Sequence, residues 1–138
     1  MASLTYDEIQ IGDSAEASRL ISGHDIDQYA DITGDRNPAH IDEEWAKESV
    51  FRGRIAHGML VASLISSVLG TTMPGNGTIY LSQSLRFLAP VYPGDTITAR
   101  VEAVNKIDGK RHIEFRTMCI NQNGDLVLEG EALVSPPR

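Results

Sequence analysis

The sequence predicts an α+β fold in which an antiparallel sheet wraps around one long buried helix. Hydrophobic and polar residues alternate in several runs across the second half of the chain, as in strands that bury one face. Residues 59–69 are apolar or small on every side, which is typical of a fully buried helix. Asp108-Gly109 and Asn123-Gly124 separate alternating runs and are hairpin signals. The simplest packing places the shared apolar face of the strands against this helix.

Length and composition indicate a single domain over residues 1–138. The formal net charge of −7 argues against nucleic acid as a partner, because a nucleic-acid surface must be basic. No apolar run approaches the roughly 18 residues that a membrane span needs, and we see no signal peptide. The one cysteine, Cys119, cannot form an internal disulfide, so we expect a cytoplasmic protein with an inert core thiol.

The first half begins with a weak strand pattern over residues 14–21. Ser22 is followed three positions later by Asp25, which is the spacing of a capping box at the start of a helix. Gly34 fits the end of that helix, because glycine readily adopts the left-handed conformation that terminates helices. These signals predict a helix between Ser22 and Gly34.

Two further helices are predicted before the strands. A short acidic helix is expected over residues 42–49, with Trp45 as its apolar anchor. Residues 51–56 have no clean period and read as a loop. The buried helix follows over 59–69, and Gly70 can end it.

Four strands are predicted in the second half, each with its apolar residues at every second position. Gln83 is the polar member of the first inward-facing set. The sets are Ile79, Leu81, Leu85 and Phe87; Ile97, Ala99, Val101 and Ala103; Ile113, Phe115, Thr117 and Cys119; and Leu126, Leu128, Ala132 and Val134.

Asp35 and His40 lie on one short polar segment. Pro38 disfavours a helix there, because it restricts Asn37 and has no N–H of its own. In a turn the carboxylate and the imidazole can converge on one water molecule and deprotonate it. Two structural alternatives stay open: Asp35 caps a helix after Ala39, or His40 is an ordinary loop residue. Asn37 is expected to shape the loop through an Asx-turn.

Several segments together resemble one known family. They are Asp-x-Asn-Pro-x-His at 35–40, His-Gly-Met at 57–59, and the stretches 80–87 and 90–95. With the predicted wrap-around architecture, this combination is similar to the MaoC-like (R)-specific enoyl-CoA hydratases, which have the hot dog fold. The resemblance runs from about residue 6 to residue 134.

The resemblance implies the reversible addition of water to a trans-2-enoyl-CoA, giving an (R)-3-hydroxyacyl-CoA. Asp35 and His40 would hold the water, with Asp35 as the base, and the same pair would return a proton to C2. The N–H of Gly58, at the helix start, would bind the thioester oxygen; its structural alternative is a tight helix entry. Ser66 matches a serine that hydrogen-bonds near the pair, or is only a small residue in a crowded helix. His57 orients the loop or simply packs.

The substrate site is expected to include more than the catalytic pair and Gly58. Asn37, His57 and Ser66 are assigned to it, Asn37 through its effect on the loop. The acyl tunnel is predicted to run inward from residues 35–40, between the buried helix and the first strand. Its lining residues, of which the three leucines set chain length, are Leu60, Leu64, Leu81 and Gln83.

A homodimer is also implied, since a sheet wrapped around one helix leaves an open edge. No cofactor is expected beyond the CoA of the substrate. Asp35, His40 and His57 could in principle bind a metal, but no i, i+4 histidine pair or cysteine cluster supports one, so none is expected. Basic side chains must offset the CoA phosphates, and the candidates are Arg52, Arg54, Arg86, Lys106, Lys110 and Arg111.

Three alternatives to a hydratase stay open. A hot dog thioesterase shares fold and ligand but does not require the Asp-x-Asn-Pro-x-His pair. A dehydratase that acts on acyl carrier protein would be favoured by a basic patch, whereas the net charge is −7. A non-catalytic acyl-CoA-binding module would not need an intact acid–base pair.

Overall fold

Helices dominate the first half of the chain and strands the second, as the sequence predicts. The computed structural model describes residues 3–138. The elements in chain order are β1 (Ser14–Leu20), α1 (Gly23–Thr33), α2 (Pro38–Ile41), α3 (Glu43–Lys47), α4 (Gly58–Thr71), β2 (Ile79–Gln83), β3 (Arg86–Phe87), β4 (Thr96–Ile107), β5 (His112–Ile120) and β6 (Leu126–Ser135).

The six strands form one antiparallel sheet. Their order is β1–β4–β5–β6–β2, and β3 pairs with β6 beside β2. Both hairpin signals lie where predicted, between β4 and β5 and between β5 and β6. The sheet packs against α4 through β4, β5 and β1. The α+β architecture, a sheet around a long buried helix, is confirmed.

The core lies between α4 and the inner faces of β4 and β5. Alternate side chains of β4 and β5 are buried, as a period of two requires. Burial raises the pKa of the Cys119 thiol to about 12, so this thiol is inert, as predicted. No helix in the described part of the chain is both long and apolar enough to cross a membrane. The buried residues of α4 are Val61, Ala62, Ile65, Val68 and Leu69.

The predicted capping of α1 is confirmed. The Ser22 hydroxyl accepts from the Asp25 N–H at 3.0 Å, and the Asp25 carboxylate accepts from the Ser22 N–H at 3.0 Å. Gly34 ends the helix with φ 80°, where a side chain would be strained. This sharp end brings the chain directly into the Asp35–His40 segment.

Two predictions about the short helices are wrong. Residues 38–41 form a helical turn, because Pro38 occupies the first helical position, where its missing N–H costs nothing. The acidic helix spans only Glu43–Lys47, and its anchor is Ala46, which is fully buried, whereas half of Trp45 is exposed. A single helical turn against α2 buries one small side chain and leaves the large indole outside. The buried helix also runs past Gly70 to Thr71.

The first predicted strand is divided, and most of it is exposed. It becomes β2 and β3, which lie on either side of Ser84. The Ser84 carbonyl passes so close to Gly130 that a Cβ on Gly130 would lie 1.8 Å from the Ser84 oxygen. Leu85 packs against the core, as predicted. The prediction is wrong for the other apolar members, because this strand lies at the sheet edge: Ile79, Leu81 and Phe87 are 59%, 44% and 53% exposed.

Candidate functional site

His40 is placed by the helical turn α2. Asn37 caps this turn, since its side-chain oxygen accepts from the Ala39 N–H at 3.1 Å. This is the local Asx-type role predicted for Asn37. The His40 ring then reaches Ile55, whose carbonyl lies 2.8 Å from Nδ1. Because a carbonyl only accepts, Nδ1 carries a proton, so in the neutral ring the lone pair lies on Nε2 and can act as a base.

Asp35 lies at the surface directly after Gly34. Its N–H donates to the Thr33 hydroxyl at 3.1 Å, and its Oδ1 accepts from the Asn37 N–H at 3.2 Å. The cap of α2 is therefore Asn37, and the alternative in which Asp35 caps a helix after Ala39 is wrong. Within the described residues, no hydrogen bond reaches Oδ2, so this oxygen is available to a water or a substrate.

His57 joins Asp35 and His40 into one cluster. Its ring is 3% exposed and stacks on the His40 ring with centroids 3.9 Å apart and planes inclined by 27°. Its Nε2 lies 3.0 Å from the Asp35 carbonyl oxygen, and the Tyr29 ring packs beside it, with centroids 4.8 Å apart. Burial lowers the pKa of His57 by more than the hydrogen bond to the Asp35 carbonyl raises it, so the ring is neutral near pH 7.

The cluster has the residue types of a metal site but not its geometry. One ligand atom from each of Asp35, His40 and His57 lies within 4.8 Å of the others. A metal ion bound by both imidazoles would have to lie near both ring planes, whereas stacked rings present their lone pairs side by side. The arrangement suits acid–base chemistry better than coordination. The expectation that no metal is used stays a prediction.

Gly58 begins α4 beside this cluster. As the first helical residue, it has no intrahelical partner for its N–H, and the partial positive charge of the helix is concentrated there. The Phe87 ring packs against it so closely that a Cβ on Gly58 would lie 2.6 Å from Cε1 of that ring. A side chain at this position would therefore displace the Phe87 ring.

An apolar cavity of about 500 Å³ opens beside His40 and Gly58. Its remaining walls come from the loop before α4, the start of α4, the segment after β3, and β6. Apart from the imidazole of His40, every side chain that lines it is apolar. The other lining residues are Phe51, Ile55, Ala56, Met59, Val61, Phe87, Leu88, Ala89, Pro90, Val91, Val127 and Leu128.

None of the four residues predicted to line the acyl tunnel lines this cavity. Leu60 and Leu64 are half-buried against the core, because only the first turn of α4 faces the cavity. Leu81 and Gln83 lie on the edge strand β2, where the Gln83 amide donates to the Thr117 hydroxyl at 2.9 Å. Ser66 is exposed on α4. Within one chain, these residues are not brought to the Asp35–His40 pair.

Most of the cavity wall is not predicted by the sequence. Phe51 and Ile55 fall in the stretch that is predicted to be a loop, and Leu88 and Val127 are far apart in the chain. The available signal was the apolar run at residues 87–91, Phe-Leu-Ala-Pro-Val. Nothing in a strand or helix period indicates that these segments meet.

The predicted basic residues differ in how far they are already engaged. Arg54 pairs with Asp27 and donates to the His40 carbonyl, which helps to hold α2. Lys106 donates to the Ile9 carbonyl and lies over the Tyr6 ring. Among the described residues, Arg52 has no acidic partner, is exposed, and follows the cavity residue Phe51. Arg86 pairs with Glu129, Arg111 pairs with Asp7, and Lys110 is exposed in the β4–β5 turn.

Known proteins share this architecture. A family model described as "MaoC like domain" matches residues 8–123. The chain is 48% identical to an (R)-specific enoyl-CoA hydratase of Rhodospirillum rubrum, over 96% of this chain and 91% of that protein. It is 42% identical to a 3-hydroxybutyryl-CoA dehydratase of Methylorubrum extorquens, over 98% of this chain and 85% of that one.

Two further comparisons bear on the alternatives. A mitochondrial 3-hydroxyacyl-[acyl-carrier-protein] dehydratase of Arabidopsis thaliana is 37% identical over 94% of this chain and 78% of that protein. Among solved structures, an unliganded R-hydratase from Pseudomonas aeruginosa superposes with a TM-score of 0.94 at 40% identity, covering 99% of this chain and 87% of that chain. The chain therefore belongs to the MaoC-like domain family and has the hot dog fold that its sequence resembles.

Proposed function

We propose that this chain is an (R)-specific enoyl-CoA hydratase, a hydro-lyase that adds water reversibly to trans-2-enoyl-CoA. One observation carries the proposal. His40 and Gly58 both line one apolar cavity, and a carboxylate oxygen of Asp35 lies within 4.8 Å of a His40 ring nitrogen. Among the described residues, neither Nε2 of His40 nor the N–H of Gly58 has a hydrogen-bond partner. The cavity suits an acyl chain, and these polar groups suit a thioester and a water molecule. The relatives named for the same reaction support this assignment.

In the proposed mechanism, a water molecule lies between Asp35 and His40. Asp35 takes one proton as the oxygen bonds to C3, and the pair returns a proton to C2, so the elements of one water are added across the double bond. The electron pair of the double bond moves toward the thioester carbonyl as the C3–O bond forms. The Gly58 N–H stabilises the resulting enolate oxygen at the positive end of α4.

The acyl chain occupies the apolar cavity in this proposal. Each buried methylene contributes about 0.8 kcal/mol, so the cavity provides binding energy without polar contacts. Val127 and Leu128 of β6 and Leu88 after β3 form walls that can contact the chain. The CoA phosphates lie outside, near Arg52, because it adjoins the cavity-lining residue Phe51 and, unlike Arg54 and Arg86, has no acidic partner among the described residues.

The proposed assembly is a homodimer joined through the edge strand β2. This strand exposes Ile79, Tyr80 and Leu81 together with its unpaired backbone, and such an edge is usually covered. The substrate contacts predicted for Ser66, Leu81 and Gln83 depend on this pairing, because one chain alone leaves them away from the cavity. Light scattering at micromolar concentration is expected to give the mass of two chains, and the mass of one chain would contradict the dimer.

Crotonyl-CoA distinguishes the proposed hydratase from its alternatives. A hydratase lowers the enoyl absorbance without releasing thiol and gives the (R)-3-hydroxy product, which chiral chromatography identifies. A thioesterase releases free CoA, and a binding module does neither. A dehydratase specific for acyl carrier protein acts on the carrier-linked substrate but not on the CoA ester. Absence of enoyl loss on CoA thioesters overturns the proposal.

The setting of the reaction is proposed on the same basis. The chemistry needs no cofactor beyond the CoA of the substrate, because Asp35 and His40 hold the water and transfer its protons, and the Gly58 N–H provides the oxyanion contact. A role in fatty-acid metabolism follows from an acyl-CoA substrate. A cytoplasmic location remains a prediction from the single cysteine, Cys119.

A further inference from the structure

His57 is a buried polar side chain to which the proposed mechanism gives no chemical step. It occupies the N-cap position of α4, but its side chain makes no capping hydrogen bond to that helix. The ring is 3% exposed and is directed instead toward the segment that carries Asp35 and His40. A histidine ring that only filled space would not have to point its nitrogen toward the segment that carries Asp35 and His40.

The two polar atoms of the ring differ in their surroundings. Nε2 lies 3.0 Å from the Asp35 carbonyl oxygen, which can only accept, so Nε2 carries the proton and donates. Nδ1 then has a lone pair, and within the described residues no partner reaches it, although it is buried. For packing alone, phenylalanine would fill this space without burying an unpaired nitrogen. The polar ring is therefore explained by its N–H donor.

His57 also connects the two sides of the site. Its ring stacks on His40, its N–H holds the backbone of Asp35, and the next residue in the chain is Gly58. The other hydrogen bonds of Asp35 are made within its own segment: its N–H donates to the Thr33 hydroxyl, and its Oδ1 accepts from the Asn37 N–H. Among the described residues, the bond from His57 is thus the hydrogen bond that fixes Asp35 relative to the start of α4.

We propose that His57 is a positioning residue, which sets the Asp35 carboxylate and the His40 imidazole at the correct distance from the Gly58 N–H. This inference rests on the proposed function and deepens it. A displacement of about 1 Å in such a site can cost on the order of 100-fold in rate, so a single tether has a measurable effect. Burial lowers the pKa of His57 and keeps the ring neutral, so the donor at Nε2 and the stack on His40 do not change near neutral pH.

Three substitutions separate the donor from the ring. His57→Phe keeps the stack on His40 but removes the donor. His57→Gln keeps a donor, because its amide nitrogen reaches the position of Nε2. His57→Asn presents its amide nitrogen near the position of Nδ1 and cannot reach the Asp35 carbonyl. The exposed residue His24, on α1, gives matched controls as His24→Phe and His24→Gln.

The variants are expected to rank differently in thermal stability and in kcat. His57→Phe is expected to match or exceed His57→Gln in Tm, but its kcat on crotonyl-CoA falls 10- to 100-fold while KM changes little. His57→Gln is expected to retain kcat within about fivefold of wild type. The kcat of His57→Asn is expected to fall as far as that of His57→Phe, and the size of this loss is the one expected for a misplaced catalytic group. If His57→Phe does not fold, the kcat of His57→Gln compared with that of His57→Asn still tests the inference. Equal kcat in Gln and Asn, or wild-type kcat in Phe, overturns the inference.

A second measurement does not depend on activity. Backbone ¹⁵N relaxation in the unliganded protein is expected to show lower order at Asp35 in His57→Phe than in wild type, and wild-type order in His57→Gln. Unchanged order at Asp35 in His57→Phe overturns the inference. An inactive wild type with the expected relaxation result would instead reject the proposed function and leave the tether established.

Discussion

Two parts of α4 differ in what they pack against. The body of the helix, residues 61–69, is buried against the sheet, whereas the amino-terminal end, residues 57–59, adjoins a cavity. The body buries Ile65, Val68 and Leu69 almost completely against the sheet. The amino-terminal end has free N–H groups, a buried nitrogen with no partner among the described residues, and an adjoining cavity of about 500 Å³. The amino-terminal end of the helix can therefore present free N–H groups to a ligand in the cavity, because packing holds the rest of the helix in place.

The largest expected effect is on the rate, at the polar end. Asp35→Asn and His40→Ala are expected to lower kcat for crotonyl-CoA hydration by about 10² to 10⁴, the range for losing a general acid or base. The free energy of unfolding should change little for Asp35→Asn, because Asp35 is exposed. Parallel kinetics and urea denaturation test this. Near-wild-type rates in both folded variants would reject the site.

The next largest effect is on stability, in the body of the helix. Ile65→Ala removes a fully buried side chain and is expected to cost about 2–5 kcal/mol in the free energy of unfolding. The kcat of the protein that remains folded should stay close to wild type, since Ile65 does not line the cavity. A kcat loss as large as that of Asp35→Asn would remove the distinction between the two regions.

Gly58→Ala tests the contact between the helix start and Phe87. The added Cβ would lie 2.6 Å from the Phe87 ring, so this ring, which lines the cavity, has to shift. We expect kcat/KM to fall by roughly 10- to 100-fold, with a small change in Tm. The double variant Gly58→Ala/Phe87→Leu should recover part of the loss. A double variant no better than the single one would contradict this explanation.

Chain-length preference distinguishes the observed cavity from the tunnel predicted by sequence. Val127→Ala enlarges the cavity, and each extra methylene that it accommodates contributes about 0.8 kcal/mol, or roughly fourfold in binding. The ratio of kcat/KM on six- and eight-carbon enoyl-CoA to that on crotonyl-CoA should therefore rise. Leu64→Ala is the matched control, because Leu64 does not line the cavity. A larger shift in Leu64→Ala would favour the tunnel.

The smallest expected effect is the pH dependence that His57 contributes to stability. Burial lowers its folded pKa below the ordinary value of 6.5, so below about pH 6.5 the unfolded state binds more protons than the folded state. Stability is therefore lost as pH falls from about 6.5 toward the lower folded pKa. The groups that face the ring are Asp35, His40, Arg54 and Tyr29. In His57→Gln the loss on acidification should be shallower, as chemical denaturation at several pH values would show; identical slopes would contradict it.

The sequence predicted the parts of the molecule that depend on local or periodic patterns. The capping box of Ser22 and Asp25 is a contact across three residues, and the alternation in β4 and β5 has a fixed period. The motif at 35–40 identified the two side chains that the structure brings within reach of His57. These features need no knowledge of distant contacts.

The rest depended on contacts that no period encodes. The sequence predicts Trp45 as the apolar anchor of the acidic helix, but a one-turn helix places Ala46 inside. Pro38 is predicted to disfavour a helix, although the first helical position tolerates it. The acyl site was placed along α4, whereas Phe87 and Val127, both distant in sequence from α4, close the cavity at its first turn.

Incubation of crotonyl-CoA with the protein in D₂O tests the central claim most directly. We predict that the intact thioester gains one D₂O, with one deuterium at C2 and an (R)-hydroxyl at C3, and that Asp35→Asn lowers the initial rate of this gain by about 10² to 10⁴. An unchanged thioester, or release of free CoA, would contradict it.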